Sequence, residues 1–183
     1  MRMIITKQVC VGLASVAMGL AMLTGGAEAS SSAAAAAAKP VKAETVIGPS
    51  GLPVPRFVAL KKDEVRGRFG PGFDYPVAAV YKKRGLPVRV IAETRDDVWR
   101  RVEDADGQRV WVHRSMLMAN DNAVVQADAV LRAKPDDAAA GRARLTPGVM
   151  GELLGCEGGW CRLKAGEFKG WLPVAELWGA PQG

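Results

Sequence analysis

Gly155-Cys156-Glu157-Gly158-Gly159-Trp160-Cys161-Arg162-Leu163, followed shortly by Lys169-Gly170-Trp171-Leu172, is the stretch whose reading decides the fold. It predicts a β-hairpin closed by a glycine-rich turn, with one Trp on the outgoing strand and another on the next strand. The same arrangement occurs earlier, as Trp99-Arg100-Arg101-Val102, then Asp106-Gly107, then Val110-Trp111-Val112. Arg132-Ala133-Lys134-Pro135 likewise matches Arg68-Phe69-Gly70-Pro71, each an Arg three residues before a Pro. Between the copies, Arg68 to Arg132, Trp99 to Trp160, Trp111 to Trp171 and Leu117 to Leu177 are offset by 64, 61, 60 and 60 residues. Landmarks matched in order define an internal repeat of about 60 residues.

Within each repeat the pattern is that of short strands. Arg56-Phe57-Val58-Ala59-Leu60 and Glu64-Val65-Arg66-Gly67-Arg68-Phe69 are candidate strands, the second stopped by Gly70-Pro71-Gly72. Leu86-Pro87-Val88-Arg89-Val90-Ile91-Ala92 alternates with period two, as a half-buried strand does. Arg114-Ser115-Met116-Leu117 reads as a closing helical turn. The expected fold class is all-β, with two small tandem barrels over residues 56–118 and 122–179. Val88, Val90, Val102, Val110 and Val112 are the expected core of the first, and Leu153, Leu163, Leu172 and Leu177 belong to the second.

Residues 1–29 carry Arg2 and Lys7, an apolar run from Val9 to Leu23, and small residues ending Ala27-Glu28-Ala29. That is the pattern of a signal peptide cleaved after Ala29, too short to persist as a membrane span of roughly 20 residues. Residues 30–55, rich in Ala and Pro, read as a flexible linker. The expected location is periplasmic or secreted, which removes nucleic acid as a partner despite a formal charge of +6. Of the three cysteines, Cys10 leaves with the signal, and Cys156 and Cys161 are expected to pair in an oxidising compartment. A redox-active pair would require the tighter C-x-x-C spacing. At the places equivalent to the cysteines the first copy offers Thr94 or Arg95 opposite Arg100.

Catalysis has little to draw on. His113 is the sole histidine, so no His-rich metal centre is expected, and Cys161 and His113 fall in different repeats. Asp96-Asp97 and Asp136-Asp137 sit in turns, where carboxylates favour local hydrogen bonding. No cofactor is implied. The basic charge is uneven: residues 56–120 hold 14 basic and 9 acidic side chains, residues 121–183 hold 7 and 8. Lys82-Lys83-Arg84 and Arg100-Arg101 are therefore candidates for an anion-attracting surface on the first barrel.

Glu64-Val65-Arg66-Gly67-Arg68-Phe69-Gly70-Pro71-Gly72, Tyr75-Pro76-Val77, Val80-Tyr81-Lys82, Gly85-Leu86-Pro87-Val88 and Trp111-Val112-His113-Arg114-Ser115-Met116-Leu117 together resemble the bacterial SH3-like domain, in the tandem form of exported proteins. The resemblance covers roughly residues 56–178. Two departures stand out: Arg66 where the family usually has Asn, and Val110 where it usually has Gly. The resemblance implies a non-enzymatic binding module that recognises cell-wall peptide or an envelope protein. The alternatives are an accessory subunit of an envelope complex and, last, a cell-wall hydrolase of the kind that joins such repeats to a catalytic domain. SH3-type folds bind extended or polyproline chains on aromatic grooves. Candidate binding residues are Tyr75, Tyr81, Lys82, Lys83, Arg84, Trp99, Arg100 and Trp111, with Trp160, Trp171 and Trp178 the candidates in the second repeat, where Trp178 has the alternative of capping the second barrel or packing between the two.

Overall fold

In the computed structural model, residues 45–181 are described. The expected signal peptide, and residues 30–44 of the expected linker, lie outside them. The first sheet is built from β3 (Arg56–Leu60), β4 (Val65–Arg68), β5 (Val77–Tyr81), β6 (Pro87–Glu93), β7 (Trp99–Glu103), β8 (Arg109–His113) and β9 (Leu117–Met118). The second contains β10 (Asn122–Val125), β11 (Ala129–Arg132), β12 (Gly141–Leu145), β13 (Met150–Glu157), β14 (Trp160–Ala165), β15 (Phe168–Pro173) and β16 (Leu177–Trp178). A 3-10 turn precedes the last strand of each, at Arg114–Met116 and Val174–Glu176.

The repeat read from four landmarks is complete at the level of topology. Strand order in the first sheet is β5-β4-β8-β7-β6-β3-β9, and advancing each number by seven gives the second, β12-β11-β15-β14-β13-β10-β16. Arg68 stands opposite Trp111 in one sheet as Arg132 stands opposite Trp171 in the other. Both arginines reach forward seven residues, Arg68 Nη1 donating to the Tyr75 carbonyl and Arg132 Nη1 to that of Ala139. The recurring Arg is thus the clamp of a long loop, which is why it marks the repeat.

Each sheet wraps its own core. Val88, Val90, Val102, Val110 and Val112 are buried, together with Leu60 and Val65. The second core is richer in leucine, with Leu131, Leu145, Leu163, Leu172 and Leu177, and Leu153 packs partly buried against it. Its hairpin turns through Gly158-Gly159, both at positive φ, 55° and 83°. Two successive left-handed residues make the tight turn whose twist matches a two-residue hairpin, and glycine adopts them without strain. Cys156 faces Cys161 across the ladder and the two form a disulfide.

Two expectations change. Residues 45–55 are not linker: β1 (Val46–Ile47) and β2 (Pro53–Val54) pair as a short hairpin, and Val54 enters the first core. The Pro and Gly content that resembles a linker serves a turn, where Gly51 N–H donates to the Gly48 carbonyl. The residue opposite Arg100 is Glu93, not Thr94 or Arg95, because a bulge between Val90 and Ala92 shifts the register.

Candidate functional site

The first barrel has an open cleft of about 280 Å³ lined by Glu64, Arg66, Arg68, Phe73, Trp99, His113, Ser115 and Met116. Three structural units supply it: β4, the loop that follows it, and the meeting point of β7, β8 and the 3-10 turn. Trp99 is fixed at the start of β7 because its N–H donates to Thr94 Oγ1 and its carbonyl accepts from the Thr94 N–H, both at 3.0 Å. Opposite it in the ladder stands His113. The Ser115 backbone N–H donates to His113 Nδ1, as a cap of the 3-10 turn. A backbone N–H only donates, so Nδ1 is the acceptor in this contact.

Phe73 completes the floor. It belongs, with Phe69, to the loop that the Arg68 clamp holds, and the residue stays 68% exposed. Its centroid lies 5.0 Å from Trp99, edge to face, and 5.6 Å from His113, stacked; Trp99 and His113 meet at 5.4 Å. The Arg68 guanidinium sits 5.6 Å from the Phe73 ring, and Arg66 pairs with Glu64 at 3.3 Å. The site therefore offers an aromatic floor for apolar side chains and two guanidinium groups at its side, suited to a chain that presents apolar groups beside carboxylates or carbonyls.

Of the eight residues that the sequence nominates, Trp99 alone lines this cleft. Tyr75 lies over Gly70, where an added Cβ would come within 2.3 Å of its ring. Tyr81 is half-buried and donates its hydroxyl to Asp104 Oδ2 at 3.0 Å; burial, reinforced by that carboxylate, pushes its phenol well above the ordinary range. Lys82, Lys83 and Arg84 form an exposed loop outside the cleft, and Trp111 is half-buried opposite Arg68 and Arg101. Arg100 is turned inward, paired with Asp97 and, at 3.0 Å, with Glu93. Phe73, His113, Arg66 and Arg68 were not nominated. The available signal was Phe73, an apolar ring amid Gly70-Pro71-Gly72 and Asp74, where a turn needs none.

The corresponding place in the second barrel differs. Pro173 replaces His113 opposite Trp160, and the loop at residues 133–140 has no aromatic residue. Glu176 stands where the first barrel has Met116; its Oε2 is buried without a hydrogen-bond partner, and burial pushes its carboxyl upward. No cluster of His, Cys, Asp and Glu suited to a metal ion occurs among the described residues.

Comparison with known proteins follows the same division. A family profile described as bacterial SH3 domain matches residues 61–118 and again residues 125–179. No curated protein matches the chain. Among solved structures, NlpC2 from Trichomonas vaginalis is similar at 11% identity and a TM-score of 0.31, over 68% of this chain and 48% of that one. NlpC1 from the same organism is similar at 10% identity and a TM-score of 0.31, over 67% and 45%. The chain thus spans about half the length of those structures.

Proposed function

The chain belongs to the bacterial SH3 domain family, and from that premise we propose that it is an exported, non-enzymatic binding module whose first barrel holds cell-wall peptide or an extended segment of an envelope protein. The observation that supports this reading is the convergence of Phe73, Trp99 and His113 on one open cleft flanked by Arg66 and Arg68. An extended chain lays alternate side chains onto such a floor, and planar guanidinium groups match carboxylates. The second barrel, without Phe73 and His113 counterparts, serves as support, so one ligand site per chain is expected. Among the described residues no helix is long and apolar enough to cross a membrane.

The test is sedimentation of residues 30–183 with purified peptidoglycan sacculi across a salt series. Phe73→Ala is the informative variant: the ring is exposed, so its loss removes ligand contact and leaves the core closed, whereas Trp99, at 6% exposure, also supports the fold. An aromatic anchor is worth enough that its truncation should weaken pelleting by roughly tenfold or more. No pelleting at low salt would sink the wall reading and leave an envelope protein as the ligand.

A further inference from the structure

We propose that the first barrel carries a second binding surface, a patch of five cations that docks on a bilayer of anionic phospholipid headgroups. Lys61 and Lys62 follow β3; Lys82, Lys83 and Arg84 follow β5. The backbone holds these two loops side by side. Gly85 N–H donates to the Leu60 carbonyl at 2.8 Å, and Leu60 N–H to that of Leu86 at 3.0 Å. From the second barrel, Asn122 Nδ2 donates to the Gly85 carbonyl at 3.1 Å, which fixes the end of the 82–84 loop.

All five side chains are exposed, and none makes an ion pair among the described residues. Of the barrel's other cations, Arg56, Arg66, Arg89, Arg100, Arg109 and Arg114 are each held by a carboxylate, and Arg68, Arg95 and Arg101 carry no ion pair among the described residues. Five of the eight cations of this barrel that carry no ion pair therefore stand on the two adjacent loops. Asp63, beside Lys62, and Asp121, beside Asn122, leave the patch net positive.

The chemistry selects the partner. None of the five cations lines the cleft, and all five are exposed. Four of the five are lysines, whose ammonium acts as a point charge and makes no forked contact of the kind that selects a carboxylate. Point charges spread over two adjacent loops match a plane of singly charged phosphodiesters, where each Lys or Arg adds an increment of attraction that salt screens. The proposal does not depend on what the aromatic cleft binds.

Co-sedimentation with lipid vesicles tests it, using residues 30–183, since both hydrophobic cores close within residues 45–181. The chain should pellet with vesicles of phosphatidylcholine mixed with phosphatidylglycerol, stay in solution with phosphatidylcholine alone, and be released by salt. Lys82→Gln/Lys83→Gln/Arg84→Gln should weaken binding by roughly tenfold or more. Lys61→Gln/Lys62→Gln, on the other loop, should weaken it as well, and Phe73→Ala should leave it intact. Equal pelleting with uncharged vesicles, or triple-variant binding equal to that of the native chain, overturns the proposal. So does loss of sacculus binding by the triple variant with no vesicle binding by the native chain, which would assign the patch to the wall polymer.

Discussion

Four donors converge on Glu93, a side chain with no exposed surface: the Ser50 N–H at 2.9 Å, the Ser50 hydroxyl at 2.8 Å, Arg56 at 2.7 Å and Arg100 at 3.0 Å. Burial alone would push its carboxyl upward, but the Ser50 and Arg56 hydrogen bonds outweigh it and hold the group below the ordinary glutamate range. A carboxylate lowered in the folded state contributes stability that is complete above its unfolded value, near about 4.3, and is lost as pH falls through the lower folded value. Glu93→Gln leaves Arg100 buried without its full counter-charge, so a loss of about 3 kcal/mol is expected at neutral pH. The variant should also lose less stability below about pH 4.3 than the native chain does, because Gln does not titrate. Urea midpoints measured across the acid range decide it; an equally steep acid decline in the variant would remove Glu93 from this role. The residue scale is also where the sequence is least legible. Arg100 looks like surface charge because its partner lies seven positions away behind a bulge, and Phe73 looks like loop filling because its neighbours in the cleft come from β7 and β8.

At the scale of elements, the two barrels fasten the same pair of strands with different chemistry. β6 and β7 are joined by Glu93 and Arg100, while β13 and β14 are joined by Cys156 and Cys161 at the corresponding register positions. The second barrel has no folded arm like β1 and β2 beside this site among the described residues, and a short covalent link stands in for the hydrogen bonds that the arm supplies. Closing so small a loop should stabilise by roughly 2 kcal/mol. Reduction of the disulfide is therefore expected to lower amide-exchange protection across β13 and β14 by that amount and to leave β6 and β7 unchanged. A uniform loss in both barrels, or none in either, would contradict a local staple. Elements were largely legible: short apolar runs bounded by turn residues exposed β3 and β4, period-two alternation exposed β6, the repeated Trp hairpin exposed β7 and β8, and the glycines exposed the β13–β14 turn. β5 escaped, since Val77-Ala78-Ala79-Val80-Tyr81 lies at a sheet edge with no alternation in burial, and the two-residue strands β1 and β2 are too short to carry a period.

At the scale of the molecule, the barrels meet through Trp178. Its indole Nε1–H donates to the Pro87 carbonyl at 3.1 Å, its ring meets Phe57 edge to face at 5.0 Å, and the Arg89 guanidinium lies 5.1 Å away over it. Arg89 is itself held by Glu103, whose other oxygen accepts from Arg109 at 3.0 Å. Beside the Trp, Gly179 runs at φ +99°, and a Cβ there would come within 2.7 Å of both the Asn122 carbonyl and Pro87, so glycine alone permits the approach. The position of Trp178 at the end of the second repeat suggests that it caps that barrel or packs between the two, but no pattern names Phe57 or Pro87 as its partners: the contact joins residues about a hundred positions apart. Trp178→Ala removes the hydrogen bond, the aromatic edge and the cation–π contact together, a loss of about 2 kcal/mol for a half-buried ring. The native chain should unfold thermally in one transition, because the interface makes each barrel support the other; the variant should show two. A single transition with an unchanged midpoint in Trp178→Ala would mean that the barrels are joined by other contacts. The coupling bears on function through position: the Asn122 bond to Gly85 lies in the same interface, so separating the barrels should free the 82–84 loop and weaken vesicle binding, while the Phe73 cleft, built wholly within the first barrel, keeps its ligand.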